Sequence, residues 1–126
     1  MTDSFKMESL YAMRQYFQSG ITRNRSFREH QLKTLKQAVL KHEQDIHEAL
    51  FTDLKKSPEE SWVTETGFFI SEINLALRNL RRWMQPEKKK TNLLNLPSSS
   101  YVIREPLGVV LIISPWNYPF QLLFTP

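Results

Sequence analysis

Apolar residues along this chain first fall at helical steps and then change period. Leu10, Met13 and Phe17 recur at intervals of three and four, which predicts a helix from about 7 to 19 with Gly20 as its stop. The segment Ile21-Thr22-Arg23-Asn24-Arg25 reads as a loop. Ser26-Phe27-Arg28-Glu29 has the spacing of a capping box, in which the serine oxygen accepts from the third amide onward and the glutamate reaches back. Behind it Leu32, Leu35, Val39, Ile46, Leu50 and Leu54 line one apolar face, with a kink expected near Lys41-His42-Glu43. Ser57-Pro58-Glu59-Glu60 is a second capping box, its proline at the first helical position where a missing N–H does no harm. Ile70, Ile73, Leu77 and Leu80 carry a further helix to Trp83, and Pro86 ends it.

Past Pro86 the pattern is no longer helical. Lys88 to Pro97 reads as a polar linker with a basic start. Tyr101-Val102-Ile103-Arg104 predicts a half-exposed edge strand open to a partner chain, guarded by Arg104 against mispairing. Leu107 to Ile113 is apolar at nearly every position and rich in β-branched residues, the pattern of a strand buried on both faces of a parallel sheet. Pro119-Phe120-Gln121-Leu122-Leu123-Phe124 predicts the start of a helix. Strand, turn and helix start together open a βαβ unit. The fold class expected is therefore α/β: an N-terminal helical region followed by the first strands of a Rossmann-like cofactor domain, incomplete.

Composition narrows the chemistry. The chain has 126 residues, 40% of them hydrophobic, enough for one small domain or part of a larger one. It has no cysteine, which excludes a disulfide scaffold, a thiolate metal site and a cysteine nucleophile within these residues. The net charge is +4. Its basic clusters, Arg23-Asn24-Arg25, Arg81-Arg82 and Lys88-Lys89-Lys90, are interleaved with acids and read as solvated faces, so no nucleic-acid partner is expected. The N-terminus is polar and carries an acid, unlike a signal peptide. The run from Leu107 to Phe124 is long enough to raise a membrane span, but Pro115 and Pro119 break it and Ser114, Asn117 and Gln121 interrupt it. His42 and His47 stand five apart, off a common helical face, and with His30 they read as solvated positions; no metal is expected. Phe68, Phe69 and Trp83 read as core.

The candidate chemistry lies in Pro115-Trp116-Asn117-Tyr118-Pro119. A carboxamide offers two N–H donors without charge. Just beyond the C-terminal end of a strand, Asn117 would sit where open α/β sheets bind ligands. Such a donor suits an oxyanion forming on a carbonyl oxygen, with Pro115 and Trp116 stiffening the turn that aims it. On spacing alone the plainer reading is favoured, a turn in which Asn117 serves local hydrogen bonding.

Glu105 to Phe120 resembles the segment of the aldehyde dehydrogenase superfamily that opens its cofactor-binding domain, with Asn117 matching the asparagine of the oxyanion hole. Ser57-Pro58-Glu59-Glu60, Glu65, Ile73, Leu77 and Arg82-Trp83-Met84-Gln85-Pro86 resemble the class 3 branch. The resemblance implies oxidation of an aldehyde to a carboxylic acid with NAD or NADP. A cysteine thiolate attacks the carbonyl, the asparagine amide and a backbone N–H hold the oxyanion, hydride passes to the nicotinamide, and a glutamate-activated water hydrolyses the thioester. It also implies that Ile113, Ser114, Trp116 and Asn117 contact the cofactor, and that Asn117 alone among the catalytic groups lies in this chain. The cysteine and glutamate would lie beyond Pro126, leaving the chain inactive alone, an N-terminal piece of a cytoplasmic homodimer. Residues 1–87 would be the N-terminal helical part of the cofactor-binding domain. Residues 88–106 would be the linker and the bridging strand of a homo-oligomer, and 107–126 the first strand, turn and helix start. The partners implied are the aldehyde, the remainder of the chain and a second copy, with no nucleic acid and no membrane contact. The alternative is a self-contained helical interaction module with an apolar docking tail.

Overall fold

The computed structural model describes residues 2–126, with side chains described from Met7 onward. Its helices are α1 (Thr2–Gln18), α2 (Arg25–Lys41), α3 (Glu43–Leu54), α4 (Pro58–Ser61), α5 (Gly67–Trp83) and α6 (Pro119–Phe124). A π-helical stretch, Trp62–Thr66, joins α4 to α5. A two-stranded antiparallel sheet pairs β1 (Glu87–Lys89) with β2 (Ser100–Val102) in the register Glu87↔Val102, Lys88↔Tyr101, Lys89↔Ser100.

The apolar faces of α2, α3 and α5 meet in one core, whereas the α1 face of Leu10, Met13 and Phe17 lies outside it. Val39 of α2 and Phe69 and Ile73 of α5 are buried together, with Leu35, Ile46 and Phe120 packed against them. Burial of these faces, rather than intrinsic propensity, is what holds such helices in water. Phe69 is 2% exposed, but Phe68 and Trp83 are both 41% exposed, so of the three aromatics expected in the core only Phe69 belongs there. The helix from Gly67 faces the core through Phe69, Ile73 and Leu80, which leaves Phe68 one position off that face.

The helix ends show which capping signals operate. Ser57 caps α4 as expected, accepting from the Glu60 N–H at 3.2 Å, with Pro58 at the first turn. The Glu59 carboxyl is held below its usual value by its own backbone N–H and by the Ser57 hydroxyl. At α2 the expected box is displaced. Asn24, not Ser26, is the N-cap, and its Oδ1 accepts from both the N–H and the hydroxyl of Ser26, at 2.9 and 2.8 Å. Glu29 is thereby free to pair with Arg25 one turn back, at 3.2 Å. The kink expected near 41–43 is a full break, with His42 outside both helices at φ −106° and ψ 19°.

The C-terminal third departs most from expectation. Lys88 and Lys89, read as linker, form a strand, because a turn at 93–98 folds Tyr101 back against Lys88. Arg104 reaches across this hairpin to Glu87 at 2.7 Å, so its charge serves the hairpin itself. Residues 107–113 form no strand and carry no ladder among the described residues. Leu107, Leu111 and Ile113 are 93%, 85% and 85% exposed, where burial on both faces was expected. A parallel strand gets its ladder and its cover from neighbours on either side, and no described residue pairs with this one. Gly108 at φ 102° lets the chain pass close over Phe17 of α1, where any Cβ would stand 3.4 Å from the ring.

A pH test follows from the hairpin. Lys89 first, then Arg104, hold the Glu87 carboxyl below the usual glutamate range. A depressed carboxylate adds stability above its unfolded value and loses it as pH falls through the lower folded value. Relative to the intrinsic exchange rate at each pH, amide protection in the 87–89 and 100–102 strands should therefore fall as pH drops below the usual glutamate range, with little change above it. Equal protection across that range would show that the Glu87 pairs do not hold the hairpin.

Candidate functional site

The turn bearing Asn117 is anchored from inside the helical region. Lys56 follows the C-cap of α3, where Lys55 takes a left-handed conformation at φ 58° and reverses the chain. That reversal turns the Lys56 side chain inward, and the residue is only 7% exposed. Glu65, in the π-helical stretch, is 0% exposed and faces it. Lys56 Nζ lies 2.5 Å from Glu65 Oε1, donates to the carbonyl oxygen of Asn117 at 2.9 Å, and stands 4.2 Å from the centre of the Tyr118 ring. An ammonium has three N–H donors, and the carboxylate, the carbonyl and the ring face account for all three.

The other carboxylate oxygen completes the clamp. Pro119 opens α6, so the Gln121 N–H belongs to the first turn and has no partner within the helix. Glu65 Oε2 accepts it at 2.9 Å. A negative charge there also suits the positive end of the helix. A single buried ion pair thus grips the chain on both sides of Tyr118, at the Asn117 carbonyl and the Gln121 amide. Phe69 secures the rest of α6, with its ring centre 5.5 Å from that of Phe120 and 5.8 Å from that of Phe124.

A second polar chain ties α3 to the same stretch. Thr66 is fully buried, and its hydroxyl donates to Glu43 Oε1 at 3.2 Å. It therefore accepts from His47 Nε2, 3.0 Å away, which fixes the proton on that nitrogen. His47 is half-buried and bonded, not a solvated position as expected, whereas His30 and His42 are exposed. Among the described residues no group of three His, Asp or Glu side chains is placed to hold a metal ion.

The expected site residues follow one another along the surface. Asn117 is exposed, and the segment before it pairs with no strand among the described residues. Ile113 and Trp116 are 85% and 88% exposed, and Ser114 is half-buried. Trp116 is too exposed to brace the turn as expected; Lys56, Glu65 and Tyr118 brace it instead. Lys56 escaped sequence reasoning, since nothing in its neighbourhood distinguishes it from a solvated lysine. Glu65 did carry a signal: it precedes Phe69 and Ile73 by four and eight residues, on the line of the apolar face.

Comparison with known proteins places the chain. The aldehyde dehydrogenase family model matches residues 10–125. The chain is a member of the aldehyde dehydrogenase family. It is 46% identical over 119 residues to aldehyde dehydrogenase family 3 member B1 of Bos taurus, which puts it on the class 3 side, covering 94% of this chain and 25% of that one. It is 42% identical over 119 residues to the 4,4'-diaponeurosporen-aldehyde dehydrogenase of Staphylococcus aureus, covering 94% and 26%. The solved substrate-bound state of Staphylococcus aureus AldH superposes with a TM-score of 0.88 at 42% identity, over 94% of this chain and 26% of that one. The chain spans about a quarter of the length of the relatives it matches. No helix among the described residues is long and apolar enough to cross a membrane.

Proposed function

We propose that this chain supplies the oxyanion-hole asparagine and one edge of the cofactor site of an NAD(P)-dependent aldehyde dehydrogenase, which oxidises an aldehyde to a carboxylic acid. The observation that carries this reading is Asn117 itself. Its backbone carbonyl is fixed by a buried ammonium, while its amide is exposed and has no partner among the described residues. As a nucleophile attacks the aldehyde carbon, the carbonyl oxygen gains charge, and an amide N–H already in position stabilises that charge without reorganising. The chain contains no cysteine, so the family's thiolate comes from outside these residues, which alone are expected to be inactive.

The residues proposed for the cofactor fit one edge of such a group and do not enclose it. Ile113 and Trp116 offer large uncovered apolar faces, and the Ser114 hydroxyl and Asn117 amide are polar groups without partners among the described residues. That mixture suits a sugar and an aromatic ring lying together. When bound, NAD(P) takes up the hydride that leaves the aldehyde carbon. Residues 1–87 serve as a helical platform, 107–126 as the cofactor-side edge, and 88–106 as the hairpin through which two copies join.

The test is Asn117→Ala in the whole product of the gene. It should lower kcat for aldehyde oxidation about 100- to 1,000-fold, with KM for the aldehyde little changed. An unaltered kcat would overturn the reading.

A further inference from the structure

We propose that Lys56 and Glu65 are positioning residues for the Asn117 amide: a buried ion pair that fixes the backbone of the oxyanion turn from beneath. The proposal rests on the reading of Asn117 given above. It begins from a difficulty. Asn117 is exposed, and an exposed side chain on a surface turn has backbone and rotamer freedom that would blur its aim. Pro115 and Pro119 restrict their own φ angles but leave those of Asn117 and Tyr118 open.

The geometry shows where that freedom is removed. Lys56 Nζ holds the carbonyl oxygen of Asn117 at 2.9 Å, one peptide unit from the Cα that carries the amide. Glu65 Oε2 holds the Gln121 N–H at 2.9 Å. The two grips straddle Tyr118, whose ring lies 4.2 Å from the same ammonium. The turn is thus tied at both ends to one pair whose members are 7% and 0% exposed.

Energetics favour a positional role over a stabilising one. A buried ion pair contributes little net stability compared with neutral side chains of the same shape, because desolvating both charges offsets their attraction. What the pair adds is direction, since each charge reaches its second partner only in one arrangement of the turn. A lysine and a glutamate buried solely for packing would not need the carbonyl of one turn residue and the amide of another.

The consequence for catalysis is specific. The oxyanion exists only past the ground state, so loosening its donor should lower kcat while leaving KM for the aldehyde in place. The variant that isolates this effect is Lys56→Met with Glu65→Gln. It removes both charges together, preserves side-chain length, and leaves a carbonyl oxygen at position 65 to accept the Gln121 N–H. The grip on the Asn117 carbonyl and the ammonium's contact with the Tyr118 ring are what is lost. In the whole gene product, kcat should fall about 10- to 100-fold, as expected for a displacement of the order of 1 Å, with KM for the aldehyde within about two-fold of the parent and the melting temperature close to it. Glu65→Asp serves as the second variant: it keeps both charges but withdraws the carboxylate by one methylene, and should lower kcat in the same direction.

Asn117→Ala is measured alongside. If Asn117→Ala lowers kcat but neither the double variant nor Glu65→Asp does, the positioning role is overturned and the oxyanion reading stands. If Asn117→Ala leaves kcat unchanged, the oxyanion reading fails first. If the Lys56 and Glu65 variants reduce only the yield of folded enzyme, with kcat per folded molecule unchanged, the pair is structural and the proposal is overturned.

Discussion

Phe69→Ala is expected to destabilise the protein by about 3–5 kcal/mol, the range for truncating a buried aromatic to alanine. Three observations put this site at the upper part of that range. Phe69 is 2% exposed, so nearly all its apolar surface is removed from water. It packs within the same cluster as Val39 and Ile73, joining α2 to α5. Its ring also meets Phe120 edge-on, at 5.5 Å and 87°, and Phe124 at 5.8 Å and 56°, and such pairs add about 0.5–1.5 kcal/mol beyond area alone. Phe120 and Phe124 belong to α6, a helix of six residues that could not persist without this contact. The loss should therefore spread to the Asn117 turn. Urea unfolding checks the first effect as a lower midpoint at constant slope, and faster exchange of the Gln121 amide checks the second. Phe69→Leu, which retains much of the volume but loses the ring contacts, should lie between parent and alanine. A loss from Phe69→Ala below about 1.5 kcal/mol would mean that α6 is not clamped here.

The helical part of this architecture was legible in the sequence because it is local. The spacing of Ile70, Ile73, Leu77 and Leu80, the Ser57-Pro58 start and the Gly20 stop each depend on neighbours within a turn or two. Gly20 sits in the left-handed region at φ 78°, as a helix stop requires. What could not be read is non-local. The partner of the 100–102 strand lies across a turn, and Lys88 is matched to Tyr101 by that turn rather than by its own propensity. The 107–113 segment has the composition of a buried strand, but a strand forms only where neighbours exist, and the described residues offer none.

The site divides along the same line. Asn117 is proposed from its Pro-Trp-Asn-Tyr-Pro motif and from a family resemblance that the match over residues 10–125 supports. Its support was not legible. Lys56 stands 61 positions before Asn117, and a lysine ordinarily belongs at the surface. Only the φ of 58° at Lys55, invisible in the sequence, turns the next side chain inward. The charge of Glu65 on an apolar face was the visible half of the pair, and such a residue calls for a search for its buried partner.

Removing one member of that pair should be costly, and removing both should not. Glu65→Gln would leave the buried Lys56 ammonium with no carboxylate, and Lys56→Met would leave a fully buried carboxylate with only the Gln121 N–H. Each single change is expected to destabilise by about 3–5 kcal/mol, since a buried charge without its partner keeps its desolvation penalty and loses its attraction. Lys56→Met with Glu65→Gln removes both charges at nearly constant volume. Its principal loss is the hydrogen bond to the Asn117 carbonyl, worth about 1.5–3 kcal/mol when the donor is charged, and relief from desolvating two ions offsets much of it. The double variant should therefore fall within about 2 kcal/mol of the parent, far above the sum of the single losses. Urea denaturation of the four proteins gives the coupling directly. Additive losses would show that the two side chains act independently, contrary to a contact of 2.5 Å in a dry interior. Strong coupling would show a pair that contributes little to the depth of the folded state and much to where Asn117 is held within it.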